Sequence, residues 1–173
     1  MRVIQQLLLV ILATLSLSAN ATPSQEKPKS IADFKSVEIF KSKSCNCCNK
    51  YAKILRKEGL APLVRNTDAV RSLYIDLEIE QAFRSCHITV ADGYFFSGHV
   101  PPQDIKTVLK DKPKIRGLLV PRMPAGSPGM EVPGHPGETY KIYSLDFRGS
   151  IEEYRTQSPK LDKASEVLNT ATE

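Results

Sequence analysis

Three of the four cysteines in this chain fall within four positions, Cys45-Asn46-Cys47-Cys48, and they fall where the hydrophobic period changes. Before them, "VEIFKS" (37–42) alternates apolar and polar side chains with β-forming residues, the period of a short strand. After them the apolar positions are Cys48, Tyr51, Ala52 and Leu55, the i, i+3, i+4, i+7 stripe of one buried helix face. Ser44 is the expected cap. Arg56 and Lys57 stand in the last turn, where cations suit the helix dipole, and Gly59 ends the helix. A thiol cluster at a strand-to-helix junction leaves an α/β unit built around that turn.

The rest of the chain extends the alternation. "APLVRN" (61–66) reads as a second strand, parallel to the first, and Asp68 as the cap of a helix with Val70, Leu73, Tyr74 and Leu77 on one face. Residues 87–100 read as two antiparallel strands joined at Asp92-Gly93, with Tyr94, Phe95 and Phe96 as packing residues. Pro101-Pro102 open a third helix, since proline is tolerated at a helix start, and Ile105, Val108 and Leu109 turn inward. This β-α-β-α-β-β-α order predicts an α/β, thioredoxin-like fold. Residues 121–137 hold five prolines and four glycines, which excludes helix and central strand and predicts a long loop of the functional kind. Residues 140–147 return to alternation as one extra C-terminal strand at an edge. From Ser150 the chain is polar, and a frayed tail is expected over 150–173, in preference to a weak helix through Leu161, Ala164, Val167 and Leu168.

Arg2 is the single charge ahead of "LLLVILATLSLSANA", and Ala19-Asn20-Ala21 has the form of an export-signal cleavage site. The apolar run is shorter than the ~20 residues a helical span needs. Residues 1–21 are therefore expected to be a signal peptide cleaved after Ala21, 22–36 a linker, and 37–149 the folded domain. No later stretch is long and apolar enough to span, so the mature protein is expected to be exported, soluble and free of the membrane. The net charge is +5 and falls to +4 without Arg2. That excess is spread along the chain, which argues against nucleic-acid binding. No internal repeat is present.

Four cysteines in an exported chain would by default form two disulfides. A bridge between the neighbours Cys47 and Cys48 would be strained, and other pairings still leave three sulfurs crowded. Metal binding, thiol–disulfide exchange and structural disulfides are the alternatives, with metal preferred. Free N–H groups at a helix start favour thiolate over thiol. Thioredoxin-like folds set a cis-proline loop opposite this spot. Here "SCHI" (85–88) occupies that position, which places Cys86 across from the triple and brings four sulfurs together. Structural zinc prefers two cysteine pairs. Cu(I) is softer and accepts bridging thiolates, and four thiolates offset the charge of as many Cu(I) ions in a multinuclear cluster.

The blocks "CNCC…GL", "SCHITVADGYFFSGHVP" and "GLLVPRMPAGSPGMEVPG", in order from Val37 to Phe147, resemble the periplasmic metal-binding family that includes the CopG-type copper-resistance proteins. The resemblance implies a thioredoxin-like fold and a thiolate-bound copper cluster on Cys45, Cys47, Cys48 and Cys86. It also implies a periplasmic role in copper resistance, with copper ions and other periplasmic copper-handling proteins as partners. Arg122 departs from the small residue usual before Met123, and Ile88 stands where many members have threonine. Weaker metal candidates are His87, His99, Met123 and Met130, with His135 behind them; strand alternation turns His87 away from Cys86. No catalytic residue is assigned. The rivals are a thiol–disulfide oxidoreductase using Cys45 and Cys48, a copper redox enzyme, and a disulfide-stapled module without chemistry.

Overall fold

The computed structural model describes residues 37–159. The expected signal peptide and linker, residues 1–36, and residues 160–173 of the expected tail lie outside them. Seven strands and three helices follow in the order β1 (Val37–Lys41), α1 (Asn46–Lys57), β2 (Pro62–Asn66), α2 (Val70–Asp76), β3 (His87–Ala91), β4 (Tyr94–Ser97), α3 (Pro102–Asp111), β5 (Ile115–Leu119), β6 (Tyr140–Asp146) and β7 (Ile151–Gln157). A 3-10 turn, Gln81–Phe83, precedes β3. One mixed sheet runs β2-β1-β3-β4-β5-β6-β7. β1 pairs parallel with β2 and antiparallel with β3; β4 pairs antiparallel with β3 and parallel with β5.

The element order expected through the third helix is the order observed. The helix stripes explain how it is held. Cys48, Tyr51, Ala52 and Leu55 are all buried, and the last three join Ile105, Val108 and Leu109 of α3 in the larger core cluster. Tyr74 of α2 belongs to a second cluster with Ile88, Phe95 and Leu119. Helices therefore cover the sheet on both faces, and the first turn of α1 comes to lie against the start of β3.

The C-terminal part differs from the sequence expectation. β5 was not foreseen. β6 is not an edge, because Ile151–Gln157, assigned above to the polar tail, adds β7 beside it. No residue of β7 is fully buried, so burial leaves no period to read; the strand is held by its ladder and by Arg155, which bonds both oxygens of Asp104 at 2.8 and 2.6 Å. The helix caps differ too: Cys45 caps α1 and Ala69 stands at the start of α2, instead of Ser44 and Asp68. Residues 121–137 contain no helix or strand, as their prolines and glycines dictate.

Candidate metal centre

Cys45 has extended backbone at the N-cap of α1, and its sulfur accepts the Cys48 backbone N–H at 3.3 Å. A sulfur thus fills the place of the usual capping oxygen. One turn on, Cys48 is fully buried, and its sulfur is joined to that of Cys45 as a disulfide. Cys47 and Cys86 are free and half-buried. Cys47 Sγ lies 3.4 Å from Cys45 Sγ and 3.8 Å from Cys86 Sγ, and Cys48 Sγ lies 3.6 Å from Cys86 Sγ. All four sulfurs fall within 4.8 Å of one another, a grouping that could hold metal.

Cys86 sits at a bend just ahead of β3, and Tyr74 fixes that bend from below. The Tyr74 hydroxyl donates to the His87 carbonyl at 2.9 Å, accepts the Ser85 N–H at 3.1 Å and meets Ser97 Oγ at 2.9 Å. The proline-rich loop is tied to the same bend. Ser85 Oγ donates to the Arg122 carbonyl at 2.5 Å, and the Arg122 N–H donates to the Arg84 carbonyl at 3.2 Å. Arg122 has φ +60°, a conformation that favours glycine, so the departure noted in the sequence falls at a strained position. Met123 follows, 47% exposed, its Sδ 3.8 Å from Cys47 Sγ. Farther along, Gly129 has φ +89°, and a Cβ there would stand 3.0 Å from Tyr51 N, so only glycine lets the loop close on α1.

Two histidines border the sulfurs. Cys86, His87 and His99 form a second group of donors within 4.8 Å. His87 and His99 are both buried, with ring centroids 4.9 Å apart, and Tyr51 packs against both rings. Burial, and then the neighbouring His99, push the His87 pKa down to about 3, so this ring is neutral at physiological pH. Burial also lowers His99, against the pull of the Pro128 carbonyl. Cys86 is pushed up to about 12 by burial and then by the Cys47 charge. A metal binding there must displace a proton, so affinity for it rises with pH.

Residues 83–130 match a family model described as a protein of unknown function, DUF411. Two solved structures of copper resistance protein copG are similar over most of this chain. Form 2 is 28% identical with a TM-score of 0.67, covering 71% of this chain and 98% of that one. Form 1 is 27% identical with a TM-score of 0.67, covering 74% and 100% respectively. The chain is similar to the CopG-type copper-resistance proteins. The comparison with curated proteins returned no match.

The CopG-type blocks quoted from the sequence thus meet in space. Cys86, separated from the triple by 38 residues or more, is brought to it as expected. His87 is not turned away: its Nδ1 lies 3.3 Å from Cys86 Sγ and 3.5 Å from Cys48 Sγ. Alternation fails as a guide because Cys86 precedes the strand, leaving only His87 bound by the pleat. His99 and Met123 stand at the site. Met130 makes no sulfur contact with the cluster among the described residues, and His135 is exposed, its Nδ1 accepting the Gly137 N–H within the loop. Sequence reasoning missed the support given by Tyr74, which looked like an ordinary member of an apolar stripe. Tyr74→Phe is expected to cost about 2 kcal/mol, the price of leaving buried partners unpaired. Urea unfolding measures it, and a loss near zero would mean that the bend at Cys86 is held by other contacts.

Proposed function

We propose that this chain is an exported, thioredoxin-like protein of the periplasm that holds Cu(I) in a multinuclear cluster on the thiolates of Cys45, Cys47, Cys48 and Cys86, and serves copper resistance. The observation that carries the reading is the convergence of four sulfurs, from one helix turn and one distant bend, within 4.8 Å. Soft thiolates that crowd closely enough to bridge suit Cu(I) better than the paired-cysteine geometry of structural zinc. Met123 adds a soft thioether at the exposed side. The similarity to copper resistance protein copG supports the same metal, and the N-terminal segment supports export. The β-α-β-α-β-β-α order, with strands ordered β2-β1-β3-β4 at its centre, supports the thioredoxin-like assignment.

The Cys45–Cys48 disulfide favours a second reading, thiol–disulfide exchange through that pair. It also sets a condition on the first, because sulfurs bonded to each other are not thiolates; the centre takes its full copper load only after reduction. Titration of the reduced mature protein against a Cu(I) chelator tests the proposal. Several Cu(I) per chain and strong preference over zinc are expected. A single copper per chain, or equal retention of zinc, would overturn the cluster.

A further inference from the structure

The two imidazoles beside the sulfurs have opposite surroundings. His99 Nδ1 lies 2.8 Å from the Pro128 carbonyl oxygen, an atom that can only accept. Nδ1 therefore carries the proton, and in the neutral ring Nε2 keeps a lone pair. That lone pair faces Cys86 Sγ at 3.7 Å. The loop carbonyl thus orients this ring as outer contacts orient metal-binding histidines elsewhere. His87 is the reverse case. Its Nδ1 faces Cys86 and Cys48 sulfurs, and its Nε2 is buried with no hydrogen-bond partner among the described residues. A proton on Nε2 would be a buried donor that makes no hydrogen bond among the described residues, which native structures rarely contain. On Nδ1 the same proton points at the Cys86 and Cys48 sulfurs, which can accept it.

We propose that the two histidines have different tasks at the centre. His99 Nε2 is a nitrogen donor to a Cu(I) ion held at Cys86, giving the cluster one mixed sulfur–nitrogen corner. His87 is not a ligand: it donates its Nδ1–H to the Cys86 and Cys48 sulfurs and tunes them as a positioning residue. The ligand half rests on the copper reading above; the tautomers do not. For His87 to ligate through Nδ1, its proton would have to move to Nε2, which makes no hydrogen bond among the described residues.

The experiment uses the mature, reduced protein with ¹⁵N-labelled histidine, whose three rings are assigned with His87→Asn and His99→Gln. Before copper is added, long-range ¹H–¹⁵N correlation should find the proton on Nδ1 of both His87 and His99. With Cu(I), the His99 Nε2 resonance should shift strongly while His87 Nδ1 stays protonated. Loss of the imidazole in His99→Gln should weaken copper binding by at least about tenfold, since losing even an outer contact that orients a metal ligand typically costs that much. His87→Leu should keep the copper number and displace the thiolate–copper ultraviolet band, and His87→Asn, which restores an N–H donor near the Nδ1 position, should return the band toward its original place. A proton on His87 Nε2, or a copper-induced shift at His87 with none at His99, overturns the proposal. A protein that takes up no Cu(I) overturns the copper reading and the ligand role of His99 with it, while the metal-free spectrum still decides the tautomers.

Discussion

The reduced Cys47→Ser protein is expected to bind Cu(I) roughly 100-fold more weakly than the parent, at the upper end of what losing a merely supporting contact costs. Its copper number should fall as well. Cys47 Sγ is the link in the cluster: it is 3.4 Å from Cys45, 3.8 Å from Cys86 and 3.8 Å from the Met123 thioether. A hydroxyl at that point cannot bridge soft ions. The same variant separates the two readings of the site. A disulfide shuttle needs the bonded pair Cys45 and Cys48 and has no use for Cys47. Competition against a Cu(I) chelator and a disulfide-reduction assay, run on the same preparation, give opposite answers. Undiminished copper binding, or disulfide reduction that survives the change, favours the exchange reading.

Arg155→Ala is expected to destabilise the domain by about 3 kcal/mol, the lower end of the range for breaking a buried pair. In a domain of this size that is a fall in Tm of roughly 10 °C. The side chain of Asp104 is 8% exposed and that of Arg155 34%, and the guanidinium bonds both carboxylate oxygens. Removing the arginine strands a carboxylate on α3 that has little water to turn to. Making Asp104→Asn in the same chain should recover part of the loss, since the neutral amide is cheaper to leave unpaired. Urea unfolding of the single and double variants closes the cycle. A single-variant loss below about 1 kcal/mol, the ordinary value of an exposed pair, would mean that this contact does not fasten β7 to the domain.

Where a side-chain period accompanies burial, the sequence was legible. The face of α1, the β3–β4 hairpin and the inward side of α3 were all readable in that way, and each lies where its pattern indicated. β7 was not, because Glu152, Glu153 and Arg155 interrupt any apolar alternation and its stability comes from backbone pairing and one ion pair. At the site, the four sulfurs could be placed together once the element order was taken as thioredoxin-like, which sets the segment ahead of the hairpin opposite the cysteine turn. The orientation of His87 could not, since it depends on where the bend at Cys86 gives way to pleated strand. Nor could the Ser85–Arg122 tie that sets Met123 beside Cys47, because it joins two irregular segments through a backbone carbonyl. Such contacts carry no sequence period.

The outer strands of the sheet decide how readily this domain can add a strand from another chain. An unpaired strand edge is a template for another chain, and natural sheets discourage that pairing with proline and charge. β2, at one end, begins with Pro62, which offers no N–H, and carries Arg65 paired to Glu38. β7, at the other, bears Glu152, Glu153 and Arg155, and Pro159 follows two residues after its end. Neither border welcomes a further strand. Aggregation of this domain, where it occurs, is therefore expected to run through intermolecular sulfur chemistry at the half-buried cysteines and to be reversed by a thiol reductant.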